Sequence, residues 1–558
     1  MNPELTDLAE RYWEASVRAH PVSASLLGLH EFDGEIDDLS RDAEDARIAE
    51  LDGFAADAEA IDPEALSADE QVSREQLLFD AATTADELRS RMLELRVDGF
   101  RGPHLGLLNS AGQLPITSAE HAASHVERLC SIGAYFDQAI GRLRQGLARD
   151  RTPPVVGCEI ALRQIDAYLA TPLDEDGFVA APRRPEDFDD ASEAEWRDEI
   201  ATEVTTTVRP AYERYRAAIA GEVLPNARPP ERSGICWIPD GEQVYARALR
   251  RHTSLATTPY DIHQTGLDEI ARLEDEYRVL GSAVLGTEDV AAMYERLRTD
   301  PELRFETPEQ IVSAAEGALV RAEVAVPAWF GTLPTTPCIV QPMPPIGAED
   351  STIAYYMQPA IDGSRPGTYF VNTTQPTTRT RYEAEALAFH ESVPGHHLQL
   401  ALNQELDLPT FRRHAFVTVF HEGWGLYTER LADEMGLYSG DVERLGMLSF
   451  DSWRSCRLVV DTGMHALGWS RDQAIAYMTE HSPQAANNIV NEIDRYIAWP
   501  GQAVAYKTGQ LAMMAERRSA QEAMGGGFEI RTFHDVLLGA GSVPLPVMQR
   551  RVRAWAAG

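Results

Sequence analysis

The segment FHESVPGHHLQL, residues 389–400, places three histidines, a proline and a glycine in one apolar stretch. It opens with a His-Glu pair, as the metal-binding pattern H-E-x-x-H does, but the next histidines follow six and seven positions after His390. In an unbroken α-helix each residue turns about 100° and rises about 1.5 Å. His396 would then lie on the side of the helix away from His390, and His397 would lie about 10 Å further along the axis. An unbroken helix therefore cannot bring two of these imidazoles to one ion.

A break in the helix removes this difficulty. Pro394 cannot donate a hydrogen bond to the carbonyl of His390, and its ring clashes there. Gly395 tolerates backbone angles that other residues avoid. If about two residues loop out of the helix, His396 takes the position that an i+4 ligand would have. His397 would reach that position only if three residues looped out. The spacing favours His396 as a metal ligand and His397 as a neighbour that contacts substrate, although His397 as the ligand remains open.

The other groups that a metal centre needs follow close by. Glu391 is adjacent to the first histidine, where a general base takes a proton from water. The segment FHEGWGLYTERLADEM, residues 420–435, supplies Glu422 as a third ligand, with Gly423 and Gly425 permitting close helix approach. Glu429 lies on a similar face and is expected to support a ligand from behind. Two histidines and a carboxylate make zinc the default ion, with Mn, Co and Fe as alternatives.

Bulk composition limits the classes of partner. The net charge of −38 disfavours phosphate backbones and anionic membranes, so we expect no nucleic acid and no membrane as partners. The sequence from residue 1 shows no secretory signal and no run of about 18 apolar residues. Five dispersed cysteines are typical of reduced, mostly buried thiols. These features predict a cytoplasmic protein.

Periodicity predicts a mostly α-helical protein. Apolar residues recur at three- and four-residue intervals through most of the chain. Residues 336–373 differ, since TPCIVQPMPP, TIAYYMQPA and GTYFVNTT are short, β-branched or aromatic and bounded by Pro and Gly. We expect a small sheet beside the active-site helix. Residues 1–335 would form one wall of a cleft and residues 336–558 the catalytic region, as one continuous two-lobed unit.

Four segments carry a resemblance to a known family. HESVPGHHLQ, FHEGWGLYTERL, RLVVDTGMHALGWS and RYIAWPGQAVAYKTGQL closely resemble the DUF885 family, largely bacterial proteins of unknown function. The same region is distantly similar to gluzincin zinc peptidases of the angiotensin-converting-enzyme and M32 carboxypeptidase type. The resemblance implies a zincin-like fold in which His390, His396 and Glu422 hold zinc and Glu391 is the base. The longer spacing of the histidines departs from the gluzincin pattern.

In the gluzincin group a later tyrosine stabilises the tetrahedral intermediate. The segment DRYIAWPGQAVAYKTGQ offers Tyr496 and Tyr506 for that role, each with the alternative of a core aromatic residue. Arg495 and Lys507 are candidates to pair a substrate carboxylate.

Two further features allow either a functional or a structural interpretation. Asp461 and His465 lie four residues apart on one face of a predicted helix, so that His465 could stabilise a transition state while Asp461 orients it or contacts substrate. The alternative is a structural Asp–His pair. GTYFVNTT could be a sheet edge that pairs with an extended peptide, or an interior strand.

The leading hypothesis is a zinc-dependent metallopeptidase, a hydrolase that cleaves peptide or amide bonds with Glu391 as general base. One alternative is a zinc hydrolase of a non-peptide ester or amide metabolite. The other is a non-catalytic binding protein with a degenerate metal site. Oligomeric state, substrate length and the choice between exo- and endo-cleavage are not determined by the sequence.

Overall fold

Helices make up most of the computed structural model, which describes residues 2–344, 348 and 352–558. The helices before the sheet are α1 (Pro3–Ala19), α2 (Pro21–Leu26), α3 (Arg41–Ala60), α4 (Ala68–Arg89), α5 (Pro103–Ser110), α6 (Ala119–Cys130), α7 (Ile132–Leu147), α8 (Val155–Ala170), α9 (Gly177–Ala180), α10 (Asp190–Glu203), α11 (Arg209–Ala218), α12 (Gly241–Thr253), α13 (Pro259–Leu285), α14 (Val290–Thr299) and α15 (Pro308–Ala325). Side-chain caps start several of them, and Ser67 with Glu70 forms a capping box at the start of α4.

The helices after the sheet carry the candidate site. They are α16 (Ala384–Glu391), α17 (His396–Glu405), α18 (Thr410–Arg413), α19 (Thr418–Glu434), α20 (Asp441–His465), α21 (Arg471–His481), α22 (Ala486–Ala498), α23 (Ala505–Met524), α24 (Ile530–Leu538) and α25 (Leu545–Ala556). The prediction of a mostly helical protein with one small sheet is confirmed. None of the helices in the described ranges is long and apolar enough to cross a membrane.

The sheet has three strands in the order β1 (Cys338–Pro342), β3 (Gly367–Val371), β2 (Ala354–Met357). β3 runs parallel to β1 and antiparallel to β2, and all five of its residues are buried. The three strand-like segments of the sequence therefore form strands. GTYFVNTT, however, contributes the central strand, so the interpretation of it as a sheet edge is wrong.

Helix α20 lies at the centre of the C-terminal half. Every residue from Leu445 to His465 is buried, which is expected of a helix covered by other elements on all sides. α13 packs along it, and α19 packs against α23. The last contact is close because both helices present glycine there: a Cβ on Gly423 would lie 2.5 Å from the Cα of Gly509.

One apolar core extends across the predicted boundary between residues 335 and 336. It contains Ala318 and Leu319 of α15 together with Tyr369 of β3, Phe389 of α16 and Trp424 of α19. A second core fills the space between α6, α7, α8, α10 and α11. α15 thus packs with the elements that follow it in sequence, and the division at residue 335 stays a prediction.

Candidate metal centre

The helix that carries the histidine segment is fully interrupted. α16 ends at Glu391, α17 begins at His396, and the four intervening residues include a cis peptide bond before Pro394. His397 N donates to the carbonyl of Ser392 at 3.0 Å, which closes the turn. The predicted interruption at Pro394 and Gly395 is therefore present, and it changes the direction of the chain between His390 and His396.

Glycine is required at position 395 because two backbone carbonyls approach this residue closely. A Cβ at this position would lie 1.9 Å from the carbonyl oxygen of His390 and 2.4 Å from that of Phe389. Trp424 of α19 donates its indole N–H to the carbonyls of Pro394, at 3.0 Å, and Gly395, at 3.2 Å. The turn is thus held against α19, the helix that carries the third predicted ligand.

Gly395→Ala should lower the free energy of unfolding by about 1–3 kcal/mol, because the added methyl overlaps backbone atoms that cannot move independently. We also expect weaker metal binding, since the turn positions His396. Urea denaturation and metal titration measure the two effects. Gly526→Ala is the matched control, because a Cβ there meets nothing within 4 Å. Wild-type stability and metal affinity in the Gly395 variant would contradict the prediction.

The three predicted metal ligands converge. One ligand atom from each of His390, His396 and Glu422 lies within 4.8 Å of the other two. Glu422 Oε2 is 3.4 Å from His396 Nε2 and 3.7 Å from His390 Nε2. Donor atoms about 2.0–2.1 Å from a tetrahedral zinc ion are separated from one another by about 3.4 Å. The donor spacing and the types of donor therefore fit a divalent transition metal.

Glu429 orients the first histidine, as the sequence predicts. Its Oε1 lies 2.8 Å from His390 Nδ1, which leaves Nε2 facing Glu422. Burial lowers the pKa of His390, but the carboxylates of Glu422 and Glu429 outweigh this and raise it to about 9. Burial opposes ionisation of Glu422, yet the two histidines hold its pKa well below the usual range. The carboxylate is thus kept in the charged form that binds a cation.

Gly425 allows the imidazole of His390 to reach α19. A Cβ on this glycine would lie 2.6–2.9 Å from three atoms of the His390 ring. The two glycines after Glu422 therefore have separate roles. Gly423 allows α23 to pack closely against α19, and Gly425 leaves space for the ring of His390.

Glu391 lies beside this ligand set with its carboxylate unengaged. The side chain is 8% exposed, and it accepts no hydrogen bond from any residue in the described part of the chain. At the end of α16, its charge acts on the pKa of His390 and on that of Tyr369 in β3. A buried carboxylate that is free to accept a proton is what the predicted general base requires.

Of the two candidate tyrosines, Tyr506 lies at the site. Its ring stacks on that of His390 at 6.1 Å between centroids, and its partly buried hydroxyl is 3.5 Å from Gln502 Nε2. Burial and the charge of Glu422 raise the pKa of Tyr506, so the hydroxyl keeps its proton. Gln502 also donates to Glu422 Oε1 at 3.3 Å.

Tyr496 and Arg495 occupy structural positions instead. The Tyr496 hydroxyl is buried and accepts hydrogen bonds from Trp453 Nε1 at 3.0 Å and Arg457 Nε at 2.6 Å. Arg495 donates to Glu492 and to Gln502 Oε1. The positions of both residues favour structural roles over the predicted ones: the fully buried Tyr496 hydroxyl also shares a hydrogen bond with Glu492, and the Arg495 guanidinium is already paired.

Asp461 and His465 do not pair with each other or face the ligands. Asp461 accepts hydrogen bonds from the Tyr245 hydroxyl at 2.6 Å and the Gly501 backbone N–H at 3.1 Å. His465 Nδ1 accepts from the N–H of Ile235, and its Nε2 donates to the carbonyl of Tyr496. Both side chains join α20 to neighbouring parts of the fold, including α12 and α22, so their geometry supports neither catalysis nor substrate contact.

His397 points away from the other two histidines of the segment. Its Nδ1 is 2.9 Å from the Tyr356 hydroxyl on β2, and its Nε2 is 3.0 Å from the carbonyl of Thr336. Burial lowers its pKa to about 4, so it stays neutral. It joins α17 to the sheet, and its position favours neither the open alternative of a metal ligand nor the predicted contact to substrate.

The ammonium of Lys507 is likewise paired with other side chains inside the protein. Its ammonium is fully buried and lies 2.5 Å from Asp451 Oδ1, 2.9 Å from Glu269 Oε2 and 2.8 Å from Gln510 Oε1. Three oxygens around one ammonium leave no donor for a substrate carboxylate. The predicted substrate role is therefore replaced by a link between α13, α20 and α23.

Lys507→Met should lower the free energy of unfolding by about 3–5 kcal/mol, because Asp451 would stay buried with less charge compensation. Urea denaturation checks this, with the exposed Arg518→Met on the same helix as the matched control. A variant of unchanged stability that binds substrate more weakly would instead restore the substrate role.

Two arginines of α20 were missed by sequence reasoning. Arg457 lies over the ring of Tyr506, with its Cζ 4.2 Å from the centroid, and Arg454 Nη2 is 3.8 Å from Glu429 Oε1. Both are buried. Their spacing of three residues within an apolar run, RSCRLVV, was the available signal, since buried charges need a specific reason.

A second group of possible donors, His30, Asp33 and His121, occurs among the described residues. The rings of His30 and His121 are stacked at 3.7 Å with an interplanar angle of 9°. An imidazole binds a metal in its own ring plane, so parallel stacked rings cannot share an ion in this arrangement. We assign no ion to this group.

Comparisons with known proteins identify the family and the fold. A family model described as "Bacterial protein of unknown function (DUF885)" matches residues 21–552. The crystal structure of a "putative lipoprotein" from Colwellia psychrerythraea is 27% identical, with a TM-score of 0.93 and 99% of each chain covered. A protein from Shewanella oneidensis described in the same words, with unknown function, is 17% identical at a TM-score of 0.73, covering 98% of this chain and 99% of that one. No curated protein matches the chain.

Proposed function

We propose that this chain, which belongs to the bacterial family DUF885, is a zinc-dependent hydrolase, a metallopeptidase that cleaves peptide or amide bonds. The observation that carries the proposal is the spacing of 3.4 Å and 3.7 Å from Glu422 to the two histidines, beside an unengaged glutamate. Two imidazoles and one carboxylate would leave a fourth position for water, the arrangement of catalytic rather than structural zinc. The gluzincin peptidases, which the sequence distantly resembles, have the same order of ligands along the chain.

His390, His396 and Glu422 would hold the ion. When bound, zinc supplies a Lewis acid that polarises a carbonyl and lowers the pKa of water. Manganese, cobalt and iron accept the same donors, so zinc is the proposed rather than the required ion.

Glu391 performs the proton transfers in this proposal. Its carboxylate takes a proton from the attacking water and returns it to the nitrogen of the departing amine, so that the side chain ends in its starting state. Because it accepts no hydrogen bond from the described residues, its lone pairs are available for the incoming proton. Burial beside His390 keeps the transfer away from bulk solvent.

Tyr506 is the proposed donor to the oxyanion. It remains protonated, it packs beside His390, and Gln502 holds it near Glu422. A preorganised donor of this kind contributes about 3–4 kcal/mol to the stability of the transition state. Arg457 over its ring fixes the orientation of the phenol.

Zinc-loaded protein incubated with mixed peptide, ester and amide libraries tests the proposal. We expect peptide cleavage that a chelator abolishes and added zinc restores. Cleavage of esters or small amides alone would favour a metabolite hydrolase, and protein that binds zinc without any turnover would favour a binding role. Protein that folds normally but binds no zinc would contradict the metal site itself.

A further inference from the structure

A cavity of about 610 Å³ lies between α15, the sheet, the start of α16 and α20. Much of its wall is apolar and includes Phe305, Ile311, Val371, Leu387 and Phe450. All of these except the half-buried Leu387 are buried. Cavities of this size, with mainly apolar walls and a few polar groups, are typical small-molecule sites in proteins. None of the lining residues is a proposed metal ligand, so a ligand of this cavity needs no contact with the metal centre.

Arg379 gives the cavity a cation without an acidic partner. Its side chain is half-buried, and it donates from Nε to the carbonyl of Thr374 at 3.2 Å and from Nη2 to the hydroxyl of the same residue at 3.4 Å. Its Nη1 donates to no residue in the described part of the chain, and no described carboxylate forms an ion pair with it. Burial lowers the pKa of Arg379, but a guanidinium stays charged at neutral pH. Donors of a charged group are therefore left over for a ligand.

Glu383 also lines the cavity, but it does not compensate this charge. Its carboxylate accepts hydrogen bonds from the hydroxyls of Thr380 and Ser449 and from Gln484 Nε2 at 2.5 Å. It forms neither a hydrogen bond nor an ion pair with Arg379. Burial raises the pKa of Glu383 even though these hydrogen bonds oppose the shift. The protein thus supplies no local counter-charge for the arginine.

Two amide side chains of α22 add unused polar groups to the wall. Asn487 is exposed, and its side chain forms no hydrogen bond with any described residue, so it lies where the cavity meets solvent. Asn488 donates from Nδ2 to Gln484 Oε1 at 2.9 Å, which leaves its Oδ1 without a donor. The amide of Asn372 is engaged at both ends by comparison. Groups able to bind a ligand therefore occur at a few points of an otherwise apolar wall.

We propose that this cavity binds a small carboxylic acid with an apolar body, whose carboxylate pairs with Arg379 and whose body packs against Phe305, Leu387 and Phe450. The planar guanidinium matches a carboxylate in geometry and charge. The net charge of −38 disfavours non-specific attraction of anions, so an anion needs a local cation such as this one. The inference does not rest on the proposed hydrolase function.

Calorimetric titration of the purified protein with octanoate and octanamide tests the proposal. The two probes share an apolar chain and differ in the charge of the head group. We expect octanoate to bind at least about tenfold more tightly than octanamide, because the amide cannot form the charge-assisted hydrogen bonds. Acetate should bind at least about 100-fold more weakly than octanoate, because it lacks the chain that the apolar wall removes from water.

Three variants assign the site. Arg379→Gln should reduce the preference for octanoate to about twofold or less and leave the affinity for octanamide unchanged. Arg381→Gln is the matched control, since Arg381 is exposed two residues further along the chain, does not line the cavity and should keep the wild-type preference. Ala485→Phe adds a ring to the cavity wall and should weaken binding of both eight-carbon probes by about tenfold or more. Urea denaturation shows whether each variant is folded.

Equal affinities of octanoate and octanamide for the wild-type protein, or no binding of either, would overturn the inference without any variant. A preference that survives in folded Arg379→Gln protein would overturn the assignment to this arginine. Unchanged binding in folded Ala485→Phe protein would place the ligand outside the cavity and would equally overturn the inference. If Arg379→Gln protein does not fold, the comparison of the probes on the wild type and the Ala485 variant still decides the outcome.

Discussion

Glu391→Gln is expected to lower kcat/KM by about 10²- to 10⁴-fold, the contribution of a positioned general base. Glutamine has nearly the same shape but cannot accept the proton of the attacking water. Zinc content should stay at the wild-type level, because Glu391 is not among the converging donor atoms. Steady-state hydrolysis of the best peptide from the library, together with metal analysis of the same sample, measures both quantities.

The matched control for this variant is Asp407→Asn. Asp407 is exposed in the turn after α17, so this change removes one carboxylate charge near the site without touching it. We expect wild-type turnover in the control. If the Glu391 variant hydrolysed peptides as fast as the wild type, another group would be the base and the proposed proton transfers would be incorrect.

His396→Ala is expected to weaken zinc binding by about 100-fold or more, whereas His397→Ala leaves it unchanged. The loss of a residue that merely supports a ligand costs about 10–100-fold in metal affinity, so the loss of a ligand should reach at least the upper end. His397 is turned to Tyr356 and Thr336, and its removal should instead cost about 1–3 kcal/mol of unfolding free energy by removing two partly buried hydrogen bonds.

Adjacent histidines thus serve as controls for each other. Zinc titration against a competing chelator gives the affinities, and urea denaturation gives the stabilities. The result that would reverse the assignment is loss of zinc in the His397 variant with retention in the His396 variant. Equal loss in both would mean that α17 as a whole, and not one side chain, determines binding.

The sequence predicts the helical architecture and the proposed ligand set because both depend on local spacing. Pro394 and Gly395 indicate the break, and the break favours His396 over His397 as the proposed ligand. The Gly423–Gly425 spacing similarly indicates where α19 is approached closely. These inferences need only helix geometry and the chemistry of the side chains.

Partners that are distant in sequence could not be predicted in this way. Lys507 is paired with Asp451 and Glu269, 56 and 238 positions away, and no local pattern distinguishes such a lysine from one that binds substrate. The same limit applies to the choice between Tyr496 and Tyr506, which depends on how α20 packs against α22 and α23.

The account depends on one ion being held jointly by α16, α17 and α19. Anomalous scattering from a crystal of the zinc-loaded protein, recorded on both sides of the zinc absorption edge, tests this most directly. We predict one strong anomalous peak within about 2.0–2.2 Å of His390 Nε2, His396 Nε2 and a carboxylate oxygen of Glu422. A zinc-loaded crystal without a peak among these three side chains, or with its peak elsewhere, would contradict it.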